Sequence, residues 1–87
     1  MEVKGTVTFT LTSGKVVGPY SADYVPDRYY VDVTKGSGDY PTLLDHKKYK
    51  TVVSINFKPH IGRAISWSRW TYFNNGPWMT DRFTDLS

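Results

Sequence analysis

Residues 3 to 12 alternate without a break: Val3, Gly5, Val7, Phe9 and Leu11 fall on one side, Lys4, Thr6, Thr8, Thr10 and Thr12 on the other. A period of two sustained over such a stretch describes a strand with one face in a core and the other in water. The rest of the chain points the same way through what it lacks. It holds two Ala, four Leu and one Glu against ten Thr, nine Val and seven Tyr, and β-branched and aromatic residues favour the pleated sheet over the helix. An all-β domain is expected.

The 87 residues suffice for a single domain, 1–87. A chain of this size buries only about 60 to 65% of the surface its unfolded form exposes, and pairing into a homodimer would relieve that limit. The sequence has no cysteine, which excludes disulfide staples and thiolate metal sites and fits a cytoplasmic setting. No stretch approaches the roughly 18 apolar residues of a membrane span, and Met1 to Gly5 lack the basic and apolar segments of a secretory leader. No membrane partner is expected.

Further strands follow from the same periodicity. Val16-Val17 begins a second one that Gly18-Pro19 should interrupt, since proline has no donor for a ladder, and residues 19–27 read as a loop. Arg28 to Thr34 alternates, with Tyr29, Val31 and Val33 inward and Tyr30, Asp32 and Thr34 outward. Pro41 to Lys48 reads as one short helix. Lys50 to Phe57 is a strand with Val53, Ile55 and Phe57 inward, and Pro59 to Gly62 a loop. Over residues 63–73 the odd positions (Ile65, Trp67, Arg69, Thr71, Phe73) are assigned to the core and the even ones (Trp70, Tyr72) to the surface. Arg69 then requires a bulge or a snorkelling side chain. Asn74 to Pro77 is a turn, and Trp78 to Phe83 a last edge strand. Five or six strands with at most one helix suit a small barrel, and the oligonucleotide-binding barrel is a common fold of this kind with a nucleic-acid surface.

Charge divides the chain sharply. From His46 to Thr80 there are six cations (Lys47, Lys48, Lys50, Lys58, Arg63, Arg69) and seven aromatics, with no Asp or Glu. Residues 1–45 carry four cations against six carboxylates. A surface that only needs solvating mixes signs, so a carboxylate-free stretch of this length points to a polyanion whose phosphates the cations would hold while rings stack on bases. Lys15, at a hairpin tip, could assist. His46 and His60 stand in no ligand-spaced motif, Gly36-Ser37-Gly38 lacks the rest of a dinucleotide fingerprint, and no nucleophile with an identifiable base is present. Neither an enzyme, a metal site nor a cofactor is expected.

Three short motifs add a direction. Gly18-Pro19-Tyr20-Ser21, Tyr30-Val31-Asp32 and Asp39-Tyr40-Pro41, in this order and after the Thr12-Ser13-Gly14 turn, resemble the single-stranded DNA-binding proteins of filamentous bacteriophages. The resemblance implies that Tyr20, Tyr30 and Tyr40 pack against bases. It is looser elsewhere: Lys15 alone stands where the family's wing bears arginines, the tyrosine motifs are further apart, and residues 74–87 have no counterpart.

The expected function is therefore non-enzymatic binding of single-stranded nucleic acid, DNA before RNA, with little sequence preference, in host cytoplasm if the chain is viral. Lys15, Lys47, Lys48, Lys50, Lys58, Arg63 and Arg69 would hold phosphates, and Tyr20, Tyr30, Tyr40, Trp70 and Tyr72 would stack. The same residue types serve a second class of function, a small virus-type module or inhibitor that grips a host enzyme through Trp67, Trp70, Trp78 and Arg69, because Trp, Tyr and Arg dominate binding hot spots. Exposed tryptophans would also serve a third, carbohydrate binding.

Overall fold

The computed structural model of the chain describes residues 2–34, 51–74 and 80–86. The backbone forms strands β1 (Val3–Leu11) and β2 (Val16–Val25), a 3₁₀ turn (Pro26–Arg28), and strands β3 (Tyr30–Thr34), β4 (Val52–Pro59), β5 (Ile65–Trp67), β6 (Trp70–Asn74) and β7 (Thr80–Asp85). All seven join one sheet in the order β5-β4-β1-β2-β3-β7-β6, and every pairing is antiparallel. The all-β, barrel-like expectation holds, with seven strands among the described residues where five or six were expected. The helix expected over 41–48 and the turn centred on Asn75-Gly76 lie outside the described residues.

The sheet curls because its apolar side chains must meet one another. β1 and β7 are three strand spacings apart, about 14 Å in a flat sheet, yet the rings of Phe9 and Phe83 have centroids 5.4 Å apart. Tyr24 on β2 and Trp67 on β5 are also three spacings apart and meet at 5.5 Å. Curling into a half-barrel closes the concave face over one core of Val7, Phe9, Val17, Tyr20, Ala22, Val31, Val33, Val52, Ile55, Phe57, Trp67 and Phe83. β1 alternates between this core and the convex face as its sequence implies: Val7 and Phe9 are fully buried, and Lys4 is exposed.

Three interruptions reset the inward phase, and each corrects an expectation. In β2 the pairing steps from Val7↔Tyr20 to Phe9↔Val17, so β2 carries one residue more than β1 at Gly18-Pro19. Here Gly18 adopts φ 115° and its bond to Pro19 is cis. A bulge needs no ladder donor from proline, so β2 continues through residues expected to form a loop. In β4 the pairing steps from Leu11↔Val52 to Thr10↔Ser54; Val53 is the extra residue and faces outward, whereas Ile55 and Phe57 are core as expected. The third reset is the two-residue bend Ser68-Arg69 between β5 and β6. It puts Arg69 in solvent and separates the inward Trp67 from the next inward residue, Trp70, by three positions instead of two.

Tyr29 also departs from its strand. It ends the 3₁₀ turn with φ 58°, in the left-handed region, and its side chain is 63% exposed; β3 begins one residue later. β7 was expected at an edge but lies inside the sheet between β3 and β6, which brings Phe83 opposite Val31 and into the core. The edges are β5 and β6.

Candidate nucleic-acid interface

The convex face is built from the other half of each alternation. Register sets its rows: Lys58 (β4) lies opposite Thr6 (β1), which lies opposite Ser21 (β2). One row over, Ser66 (β5) lies opposite Asn56 (β4), itself opposite Thr8. Hydroxyl and amide groups thus carpet the β5-β4-β1 part of the sheet. Ser66 Oγ donates to Asn56 Oδ1 at 2.7 Å, which fixes the rotation of the Asn56 side chain.

A groove of about 440 Å³ runs over this carpet, lined by Thr6, Thr8, Pro19, Asn56, Phe57, Lys58 and Ala64. Pro19 reaches it because the β2 bulge lifts that residue out of the ladder. Ala64 reaches it from the loop that follows β4, in which Gly62 takes φ 123°. Arg63 precedes Ala64 in that loop and is exposed, as is Lys58. The fold therefore places one of the expected cations, Lys58, in the groove lining, and exposes a second, Arg63, one residue before its Ala64 wall.

Charge on the adjoining rows is already balanced. Lys4, Asp23, Asp32, Arg82 and Phe73 lie in one cross-strand row through β1, β2, β3, β7 and β6. Lys4 Nζ is 3.6 Å from Asp23 Oδ1. Arg82 donates through Nε and Nη2 to both oxygens of Asp32, at 2.8 and 3.1 Å. This bond, with the attraction of the carboxylate, raises the Arg82 pKa above its already high ordinary value, although partial burial opposes the shift. The row's two carboxylates are thereby answered within the chain, and Lys58 and Arg63 belong to neither pair.

The remaining expected residues are dispersed or differently placed. Lys15 is exposed at the β1–β2 hairpin tip, where its N–H donates to Ser13 Oγ at 3.3 Å. Arg69 is exposed at the Ser68-Arg69 bend, beside a shallow cleft formed with Ser68, Trp70 and Leu86. Tyr30 does face outward, half-buried, with the Arg82 guanidinium 3.8 Å above its ring centre. Tyr40, Lys47, Lys48 and Lys50 lie outside the described residues, as do Trp78 and His46.

Tyr20, Trp70 and Tyr72 are corrections. Tyr20 is 1% exposed and packs on Phe9 with centroids 5.9 Å apart, because the bulge turned it inward; it offers no face to a base. Trp70 and Tyr72 pack against the core, Tyr72 with its ring 5.3 Å from that of Phe83, because the Ser68-Arg69 bend inverted their phase. Trp67, proposed as an interface anchor in the protein-binding alternative, is 2% exposed and buried in the core.

The inverted phase exposes other rings. Phe73 is 60% exposed and sits directly across from Arg82, so Tyr30, Arg82 and Phe73 cluster on the convex face of β3, β7 and β6. Tyr29 is a further exposed aromatic among the described residues. The signals for both were local: a polar-cationic pair inside an apolar strand for Phe73, and a Pro-Asp turn just ahead of Tyr29. Among the described residues no group of three His, Asp or Glu side chains is placed to hold a metal ion. No protein family matches the chain, and neither a curated protein nor a solved structure was found to be similar to it.

Proposed function

We propose that this chain binds single-stranded nucleic acid without catalysing a reaction, laying the phosphate backbone past Lys58 and Arg63 while a nucleotide enters the groove between Pro19 and Ala64. The observation that carries the reading is the division of charge on the convex face. Asp23 and Asp32 are answered by Lys4 and Arg82, whereas Lys58 is exposed and lines a groove, and Arg63 is exposed one residue before the groove's Ala64, in a stretch of sequence without a carboxylate. Phosphates supply the missing negative charge, and a largely apolar groove with Thr6 and Thr8 on its floor can take the flat face of a base. The resemblance of the Tyr30-Val31-Asp32 strand to the phage proteins supports the same reading.

The test is the equilibrium binding of a labelled oligo(dT) followed by anisotropy between about 50 and 200 mM salt, where neutralising two phosphates, at Lys58 and Arg63, gives a log–log slope of about −1.4 for a single strand. Lys58→Ala should reduce that slope by about 0.7, one phosphate, whereas Lys4→Ala should leave it close to the parent value. Binding indifferent to salt would overturn the proposal.

The Tyr30–Arg82–Phe73 cluster favours a second reading, a protein-binding surface, since a pre-organised arginine stacked on one aromatic ring, with an exposed phenylalanine paired opposite it in the sheet, is a usual hot-spot composition. That reading requires a partner whose binding resists salt and nuclease and is lost in Phe73→Ala.

A further inference from the structure

We propose that the groove over β1 and β4 is a subsite for a nucleotide whose base carries ring carbonyls, read by Asn56, so that thymine or uracil is preferred over adenine. The inference rests on the nucleic-acid reading above and adds to it the identity of the base.

The argument starts from hydrogen-bond capacity. An asparagine side chain offers one carbonyl oxygen and one amide nitrogen. Here Ser66 Oγ donates to the Asn56 Oδ1 at 2.7 Å, and Ser66 reaches it because β5 pairs with β4 in the register Asn56↔Ser66. With the oxygen engaged by Ser66, the Nδ2 donors are the free end of the amide. Lys58, two residues along the same face and also lining the groove, carries only donors. Thr6 and Thr8 complete the floor, but a hydroxyl both donates and accepts and so discriminates little. Lys58 is thus donor-only, and Asn56, whose oxygen already accepts one bond, has both of its Nδ2 donors to offer, so the best complement is a ligand rich in acceptors: a phosphate for Lys58 and a carbonyl for Asn56. Thymine presents a carbonyl where adenine presents an amino group. Adenine's neighbouring acceptor, N7, is fully matched only by an asparagine whose oxygen is also free to accept from that amino group, whereas here the oxygen is already engaged by Ser66. The volume of about 440 Å³ lies within the range of small-ligand sites, roughly 300 to 1,000 Å³, and Pro19 and Ala64 give the base apolar flanks.

Asn56 and Ser66 belong to the convex face, away from the core, so both can be altered with the fold intact, which thermal melting would verify. The experiment measures affinities for labelled oligo(dT) and oligo(dA) of equal length with the parent chain, Asn56→Ala and Ser66→Ala. The parent should favour oligo(dT). Asn56→Ala should reduce the dT:dA ratio about fivefold, the worth of one hydrogen bond, with oligo(dA) affinity little changed. Ser66→Ala should reduce the ratio less, since the released amide can present either end. Comparing ratios between variants removes any difference in the stiffness of the two strands. A ratio unchanged in Asn56→Ala, with both strands still bound, would overturn this inference and leave the nucleic-acid reading standing. Absence of binding to either strand by the parent at low salt would overturn both.

Discussion

The guanidinium of Arg82 lies 3.8 Å above the centre of the Tyr30 ring while the same group donates to both oxygens of Asp32. Three residues from β3 and β7 are thereby joined on the convex face, 50 positions apart in sequence for Arg82 and Asp32. The pair is only partly exposed, at 30% for Arg82 and 18% for Asp32, which shields the two-pronged bond from water. Arg82→Ala should lower stability by about 1 to 2 kcal/mol, from the charged hydrogen bonds and the ring contact together. Arg82→Lys should restore only part of this, because an ammonium cannot match the fork. Chemical denaturation of the two variants measures both effects.

Tyr20 illustrates how a motif and a fold can assign one residue to opposite sides of a sheet. The resemblance puts it against bases; the bulge at Gly18-Pro19 buries it against Phe9. Tyr20→Ala should therefore cost about 3 to 5 kcal/mol of stability, as for other large buried side chains. The check is a denaturation curve measured without nucleic acid. A Tyr20→Ala chain as stable as the parent would contradict the buried placement.

The close approach of β1 and β4 at Gly5 is a separate constraint. A Cβ there would collide with the Lys58 carbonyl oxygen and lie 2.7 Å from the Pro59 Cα, both backbone atoms that cannot move aside. Gly5→Ala should cost about 2 to 4 kcal/mol by forcing the strands apart and should disturb the groove through Lys58. Gly14, in the β1–β2 turn, has open space around it but φ +87°, so Gly14→Ala should cost only about 1 to 2 kcal/mol of backbone strain. Urea denaturation of the two variants compares steric collision with strain.

Tyr24 makes stability depend on alkaline pH. Burial, and then the nearby Asp85 and Tyr29, raise its pKa above the ordinary 10.0. As pH rises past about 10, the unfolded chain gives up this proton before the folded chain does, so stability is complete below that pH and is lost as pH climbs toward the folded value. Tyr24→Phe should flatten the decline. Denaturation midpoints at a series of pH values above and below 10 would show it, and an unchanged slope would contradict the assignment.

How far the chain could be read depended on whether its period was continuous. β1 was legible from end to end because nothing interrupts Val3 to Leu11, and the inward Val31 and Val33 followed from the same rule. The rule failed at Gly18-Pro19, at Val53 and at Ser68-Arg69, where one residue too many resets the phase and every side chain beyond it changes face. Trp70, Tyr72 and Phe73 were misplaced for this reason, whereas Tyr20 was placed by the resemblance in a segment read as a loop. Pairing partners were beyond local periodicity altogether: nothing near Thr80 to Asp85 announces that it lies beside β3, because that choice depends on how distant apolar faces fill one core. Of the site, Lys58 and Arg63 were legible as unopposed charge. The groove was not, since Pro19 and Ala64 line it only through a bulge and a loop.

The most direct test of the central claim, that single strands bind on the convex face at the groove, is to follow the backbone amide NMR signals of the chain during titration with oligo(dT). The account predicts shifts concentrated at Thr6, Thr8, Asn56, Lys58 and Ala64, diminishing as salt is added. Shifts confined to Trp70, Leu86 and the Arg69 bend, or spectra unchanged by oligo(dT) at low salt, would contradict it.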